Sequence, residues 1–80
     1  MKTYVTFGRD HRHKVCGKVF DYRCVAAIKC DNPVQGRNLA FAYFGPKFSF
    51  EYPEKYFDFD SMKYFPRGII PLNFNEDEEE

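Results

Sequence analysis

The sequence predicts an α+β fold: a small antiparallel or mixed sheet of about four strands, crossed on one face by a main helix at about 33–44, with a short second helix. Three observations carry this. Phe48, Phe50 and Tyr52 alternate strictly with Lys47, Ser49 and Glu51, the period of a strand with one buried face. Asn32-Pro33 and Gly45-Pro46 bracket a stretch between a helix start and a helix stop. Residues 24–30, Cys-Val-Ala-Ala-Ile-Lys-Cys, are short, nearly continuous and apolar, as a central strand requires.

Taken in order, residues 2–7 form the first strand, with Val5 and Phe7 alternating against Tyr4 and Thr6, and Gly8 ends it. Residues 11–22 fit a hairpin around Val15-Cys16-Gly17-Lys18, with Gly17 at the second position of a two-residue turn. A loop is the alternative reading of the same residues. The hairpin register sets Val15 opposite Lys18, His13 opposite Phe20 and Arg12 opposite Asp21. His11 and His13 then share a face with Phe20 and Tyr22, while Arg12 and Asp21 pair on the other face. Asn32 caps the helix, Pro33 opens it, and Leu39, Ala40, Tyr43 and Phe44 make its buried side. Residues 47–52 are a strand ended by Pro53, with Phe48, Phe50 and Tyr52 directed at the core. Asp58, Asp60 and Ser61 offer capping oxygens to a short helix over Met62, Lys63, Tyr64 and Phe65. After the turn Pro66-Arg67-Gly68, residues 69–74 form the last strand. Pro71 cannot donate to a ladder, so this strand belongs at an edge. Residues 1–75 are thus one compact domain, and 76–80 a disordered acidic tail.

The 44% apolar and 20% aromatic content excludes a disordered chain. With no Trp, the ten Phe and six Tyr must fill the interior, and they are more than an 80-residue core easily hides. Some therefore lie at the surface, where binding anchors are found. The net charge is zero but unevenly spread. Residues 1–37 hold eight Lys and Arg against Asp10, Asp21 and Asp31, and the basic excess suits a phosphate backbone or an acidic protein surface. Three cysteines are an odd number, which argues against a secreted disulfide scaffold. No stretch has the pattern of a signal peptide or the length of a membrane span, so the chain reads as cytosolic, with reduced thiols.

The residues with the sharpest chemistry are His11 and His13. On an extended segment, side chains at i and i+2 project to one side, a pairing that suits a divalent metal. The expected zinc set is His11 and His13 with Cys24, then Cys16, and Asp10, Asp21 or a water could complete it. Cys30 reads as a core thiol. A structural zinc is a common aid to a domain this small. An alternative is a metal-independent ribonuclease, one histidine as base and the other as acid, with Arg9 and Arg12 on the phosphate and Tyr22 beside them. A second alternative is a nucleic-acid module in which Phe41, Tyr43, Phe48, Phe50 and Tyr52 stack on bases. Strict alternation makes core the favoured role for Phe48, Phe50 and Tyr52. No carboxylate pair, Gly-rich phosphate loop or nucleophile motif accompanies the histidines, so the chain is not read as an enzyme.

Tyr4-Val5-Thr6-Phe7-Gly8, Asp10-His11, His13, Val15, Gly17-Lys18 and Phe20-Asp21 resemble the N-terminus of a family of small uncharacterised phage and prophage proteins. Ala40-Phe41, Phe44-Gly45-Pro46-Lys47-Phe48, Phe50 and Tyr52 are similar to its middle, and Lys63 to Ile70 to its C-terminal strand. The resemblance runs over roughly residues 4–70. Where this chain has Cys16 the family often has Asn, and where it has Ser49 the family often has Cys. A phage origin implies a stoichiometric inhibitor of host defence in the host cytoplasm. The expectation is an anti-CRISPR protein, monomer or homodimer, that binds a Cas nuclease such as Cas9 and blocks target DNA loading or cleavage. Nucleic acid is the second choice of partner, and Arg9, Arg12, Lys14 and Lys18 are the expected partner-binding residues.

Overall fold

The structure, a computed structural model, describes residues 1–72. The acidic tail at 76–80 and the end of the strand expected to run to residue 74 lie outside the described residues. The elements are β1 (Lys2–Thr6), β2 (His13–Val15), β3 (Lys18–Phe20), β4 (Cys24–Lys29), α1 (Pro33–Phe44), β5 (Phe50–Pro53), 3-10 turns over Glu54–Tyr56 and Phe59–Tyr64, and β6 (Gly68–Leu72). The main sheet has the order β5-β1-β4-β6. It is mixed: β1 runs antiparallel to β4 and β5, and β6 runs parallel to β4. β2 and β3 form a separate two-stranded hairpin.

Local signals account for most of these elements. The Asn32 side-chain oxygen accepts from the Gln35 N–H at 2.8 Å, and Gly45, at a φ of 60°, closes α1. The hairpin turn has positive φ at both Cys16 (53°) and Gly17 (76°), the backbone of a type I′ turn. That turn sets the expected register, with Val15 opposite Lys18 and His13 opposite Phe20.

β4 is apolar and buried from Cys24 to Ile28 because both of its faces are covered there. Ala26 and Ile28 join Val5, Phe7, Ala40 and Phe44 on the side of α1. Val25 and Ala27 join Tyr4 and Phe57 on the opposite side, with Tyr52, Met62 and Phe65 packed against them. The chain between Pro53 and Phe65 forms the cover on that side. α1 lies close on β1: a Cβ at Gly36 would come within 2.9 Å of the Thr3 Cβ.

Several expectations change. Phe50 is exposed, because it stands on a terminal strand of the sheet. Phe48 precedes that strand and packs against Phe41, with ring centroids 5.3 Å apart. The short second helix is a 3-10 turn that begins earlier, at Phe59, where the Asp58 carboxylate accepts from the Asp60 N–H at 3.0 Å. β3 ends at Phe20, and the chain turns before Arg12 and Asp21 can face each other. Asp21 instead meets Arg23 at 3.3 Å and Arg67 at 3.2 Å. β6 is an edge, as Pro71 requires, and the Lys18 ammonium donates to the Pro71 oxygen at 2.8 Å. Among the described residues no helix is long and apolar enough to cross a membrane.

Candidate functional site

After Pro53 the chain crosses the sheet face opposite α1 in two short 3-10 turns. Phe57 is its anchor. It is buried and stacks on Tyr4 with centroids 4.5 Å apart, which ties the segment to β1. So short a cover has no second apolar surface in which to hide the remaining rings. Tyr56 is 66% exposed, Phe59 52% and Tyr64 69%, and Phe50 on the neighbouring strand is 60% exposed.

Between β5 and this segment lies a cleft of about 430 Å³. Phe50, Tyr52, Tyr56, Phe57, Tyr64 and Phe65 supply its apolar walls, and Ser49, Asp58 and Ser61 add polar groups. Two lysines rest on its rings: Lys55 over Tyr56 at 5.1 Å and Lys63 over Tyr64 at 5.4 Å. A second hollow of about 290 Å³ continues around Phe50 to Glu51, Arg37 and Phe41. Beneath the cleft, burial and then the nearby Glu54 charge push the Tyr4 hydroxyl above its ordinary range, so it stays neutral. The arrangement is a group of exposed rings beside one cleft, tied down by the buried Phe57, with few polar groups among them.

The residues expected to form a zinc site are placed differently. Residues 11 and 12 precede β2, and His11 lies in a turn whose N–H donates to the Gly8 oxygen at 3.0 Å. Its Nδ1 accepts from the Gly8 N–H at 2.9 Å. The His13 ring packs against Phe7 and Phe44, and its Nε2 donates to the Lys47 oxygen at 2.6 Å. Cys24 is buried, where loss of solvent pushes its thiol up and away from the thiolate a metal needs. Cys16 is exposed at the hairpin turn. Cys30 is buried, as read from sequence.

Two of these donors are engaged as folded, His11 Nδ1 by the Gly8 N–H and Cys24 by its burial. An Nδ1 that accepts a hydrogen bond leaves the proton on Nε2 of neutral His11, so neither nitrogen offers a free lone pair. Among the described residues no group of three or more His, Cys, Asp and Glu gathers as a metal holder.

Of the basic residues expected at an interface, Arg9, Arg12 and Lys14 are exposed and Lys18 is half-buried. Arg9 lies over the Tyr22 ring at 5.4 Å. The hairpin that carries Lys14 and Lys18, with Arg12 just before it, packs through Val15 and Phe20 on the α1 side of the sheet, whereas the aromatic cleft opens on the other side. Sequence reasoning missed Tyr56, Phe57, Phe59, Tyr64 and Phe65. The available signal was density without period: seven of the sixteen aromatics fall between residues 50 and 65, too many at irregular spacing for one buried face. No family model matches the chain, and no curated protein or solved structure matches it.

Proposed function

We propose that this protein works by stoichiometric binding, as a phage-encoded inhibitor of a host defence protein in the host cytoplasm. The partner in this reading is a Cas nuclease such as Cas9, and the step blocked is loading or cleavage of target DNA. The observation that carries binding is the exposure of Phe50, Tyr56 and Tyr64 at one cleft. Large rings exposed to water beside a cleft are the usual anchors of an interface. The resemblance of residues 4–70 to small phage proteins supports the setting and the choice of partner.

Stacking on single-stranded nucleic acid draws on the same rings. Glu54, Asp58 and Asp60 outnumber Lys55 and Lys63 on the cleft segment, all five being exposed, so its net charge opposes a phosphate backbone and a protein partner is favoured.

The test is to mix the purified chain with a guide-loaded Cas9 complex. We expect a defined complex by size-exclusion light scattering and loss of target cleavage at equimolar inhibitor. Phe50→Asp and Tyr64→Ala should remove both effects while circular dichroism stays unchanged. No complex, with cleavage intact in excess inhibitor, overturns the reading. RNA degradation that is lost in folded His11→Ala and His13→Ala variants would put the ribonuclease alternative in its place.

A further inference from the structure

We infer that the aromatic cleft receives an arginine side chain, presented by an extended segment of the partner laid along the outer edge of β5. This deepens the binding reading above and rests on it.

The rings themselves favour a cation. An aromatic face carries the negative lobe of its quadrupole and attracts ammonium and guanidinium groups. Two rings of this cleft already do so in the free chain, Tyr56 with Lys55 and Tyr64 with Lys63. Those lysines are tethered beside their rings, and each is free to swing into water when a better-placed cation arrives.

The full charges agree with the rings. Asp58 lines the cleft and is exposed, and Glu54 and Asp60 are exposed on the same segment. Asp58 spends one oxygen on the Asp60 N–H. A carboxylate can accept about four hydrogen bonds, so that cap leaves capacity for a guanidinium. Arginine fits better than lysine here. Its planar, weakly hydrated head stacks on rings and forks onto a carboxylate in the same pose.

The backbone supplies the direction. β5 is a terminal strand of the sheet, and Phe50 and Tyr52 lie opposite Thr6 and Tyr4, on the cleft side. A strand added to β5 would place alternate side chains over the cleft. The opposite edge is poorly suited to this. Pro71 interrupts β6, and Lys18 covers the Pro71 oxygen. On β5 the proline is the last residue, Pro53. With only four residues, β5 gives few ladder bonds, so the arginine in the cleft must supply much of the affinity.

The experiment titrates the full ¹⁵N-labelled chain with a capped Thr-Val-Arg-Val-Thr peptide and with its citrulline counterpart, which keeps the shape and removes the charge. We expect saturable amide shifts at Phe50, Glu51, Tyr52, Asp58 and Tyr64. The citrulline peptide should bind about tenfold more weakly, the loss of one desolvated cation–π and charge-assisted contact. Asp58→Asn and Tyr64→Ala, each with an unchanged amide fingerprint elsewhere, should weaken the arginine peptide alone. Equal binding of both peptides, shifts confined to the hairpin, or no saturable binding overturns the inference. So does concentration-dependent self-association that occupies the same amides, which would make a second copy the occupant. If Phe50→Asp abolishes capture of the nuclease complex while both peptides bind alike, the binding reading stands and the arginine does not. If the nuclease complex is never captured, the binding reading fails whatever the peptide does.

Discussion

The Nε2 of His13 donates to the main-chain oxygen of Lys47 at 2.6 Å, tying the β2–β3 hairpin to the chain that leads into β5. The same ring lies against Phe7 and Phe44, with centroids 5.8 and 5.1 Å away. The packing outweighs the hydrogen bond. Lys47 is exposed, so water can satisfy its carbonyl when the imidazole is gone, and the net loss for that bond is only about 0.5–1.5 kcal/mol. His13→Ala loses bond and packing together and should cost about 2 kcal/mol. His13→Phe keeps a ring against Phe7 and Phe44 and should cost less than half as much. Urea denaturation of the three proteins measures both losses, and equal losses would show that the hydrogen bond dominates.

Metal content is the next test. Zinc at His11 would require its ring to give up the Gly8 N–H, and zinc at Cys24 would require a thiolate inside the core. Each step works against a contact the fold already makes. We therefore expect elemental analysis of the purified chain to find zinc well below one per protein, and a chelator to leave the melting curve in place. Stoichiometric zinc with a chelator-lowered Tm would show that the Gly8–His11 turn opens to release Nδ1.

Those two residues also mark where the sequence stopped being legible. Asn32, Pro33 and Gly45 are local signals whose chemistry acts within a few residues, so α1 was readable to its ends. A two-residue turn sets strand register by itself, so the hairpin pairing was readable too. The i, i+2 rule for His11 and His13 holds only on extended backbone, and the turn at Gly8–His11 removes that condition. Alternation placed Phe50 and Tyr52 on one face of β5 but carries no information on what covers that face. The cover is a 3-10 segment without periodicity, and the cleft beside it follows from tertiary packing alone.

Asp21 gives a pH dependence. Burial alone would raise its carboxyl, but the Arg23 N–H, the Arg23 side chain and Arg67 together outweigh burial and hold it below the usual carboxylate range. A depressed folded pKa means stability that is present above the unfolded value, about 3.9, and is lost as pH falls through the folded one. Asp21→Asn keeps the oxygen that accepts the Arg23 N–H and removes the charge. At pH 7 it should cost about 1 kcal/mol, a modest figure because the Arg23 partner is largely in water. Near pH 2 the wild type and the variant should converge. Denaturation curves at both pH values check this, and a difference that persists in acid would assign the cost to packing instead of charge.

Gly36 offers the sharpest test of how α1 meets the sheet. A glycine inside a helix costs about 1 kcal/mol relative to alanine, so Gly36→Ala would stabilise the protein by that amount if there were room. There is none. The new Cβ would stand 2.9 Å from the Thr3 Cβ, 3.1 Å from its Cγ2 and 3.0 Å from the Cys30 Sγ. Thr3 is poorly able to turn aside, because its hydroxyl donates to the Tyr52 oxygen at 3.0 Å and contacts the Glu51 carboxylate. α1 would have to lift from β1, and overpacking of this kind costs about 1–3 kcal/mol. The clash exceeds the helix gain, so Gly36→Ala should destabilise by about 1 kcal/mol and lower Tm by roughly 4–8 °C. In a Thr3→Ala background the Cγ2 contact is gone and Thr3 no longer holds its hydrogen bonds, so the same substitution should cost measurably less. A higher Tm for Gly36→Ala in the native background would mean that α1 and β1 lie farther apart than the Thr3–Gly36 contact describes.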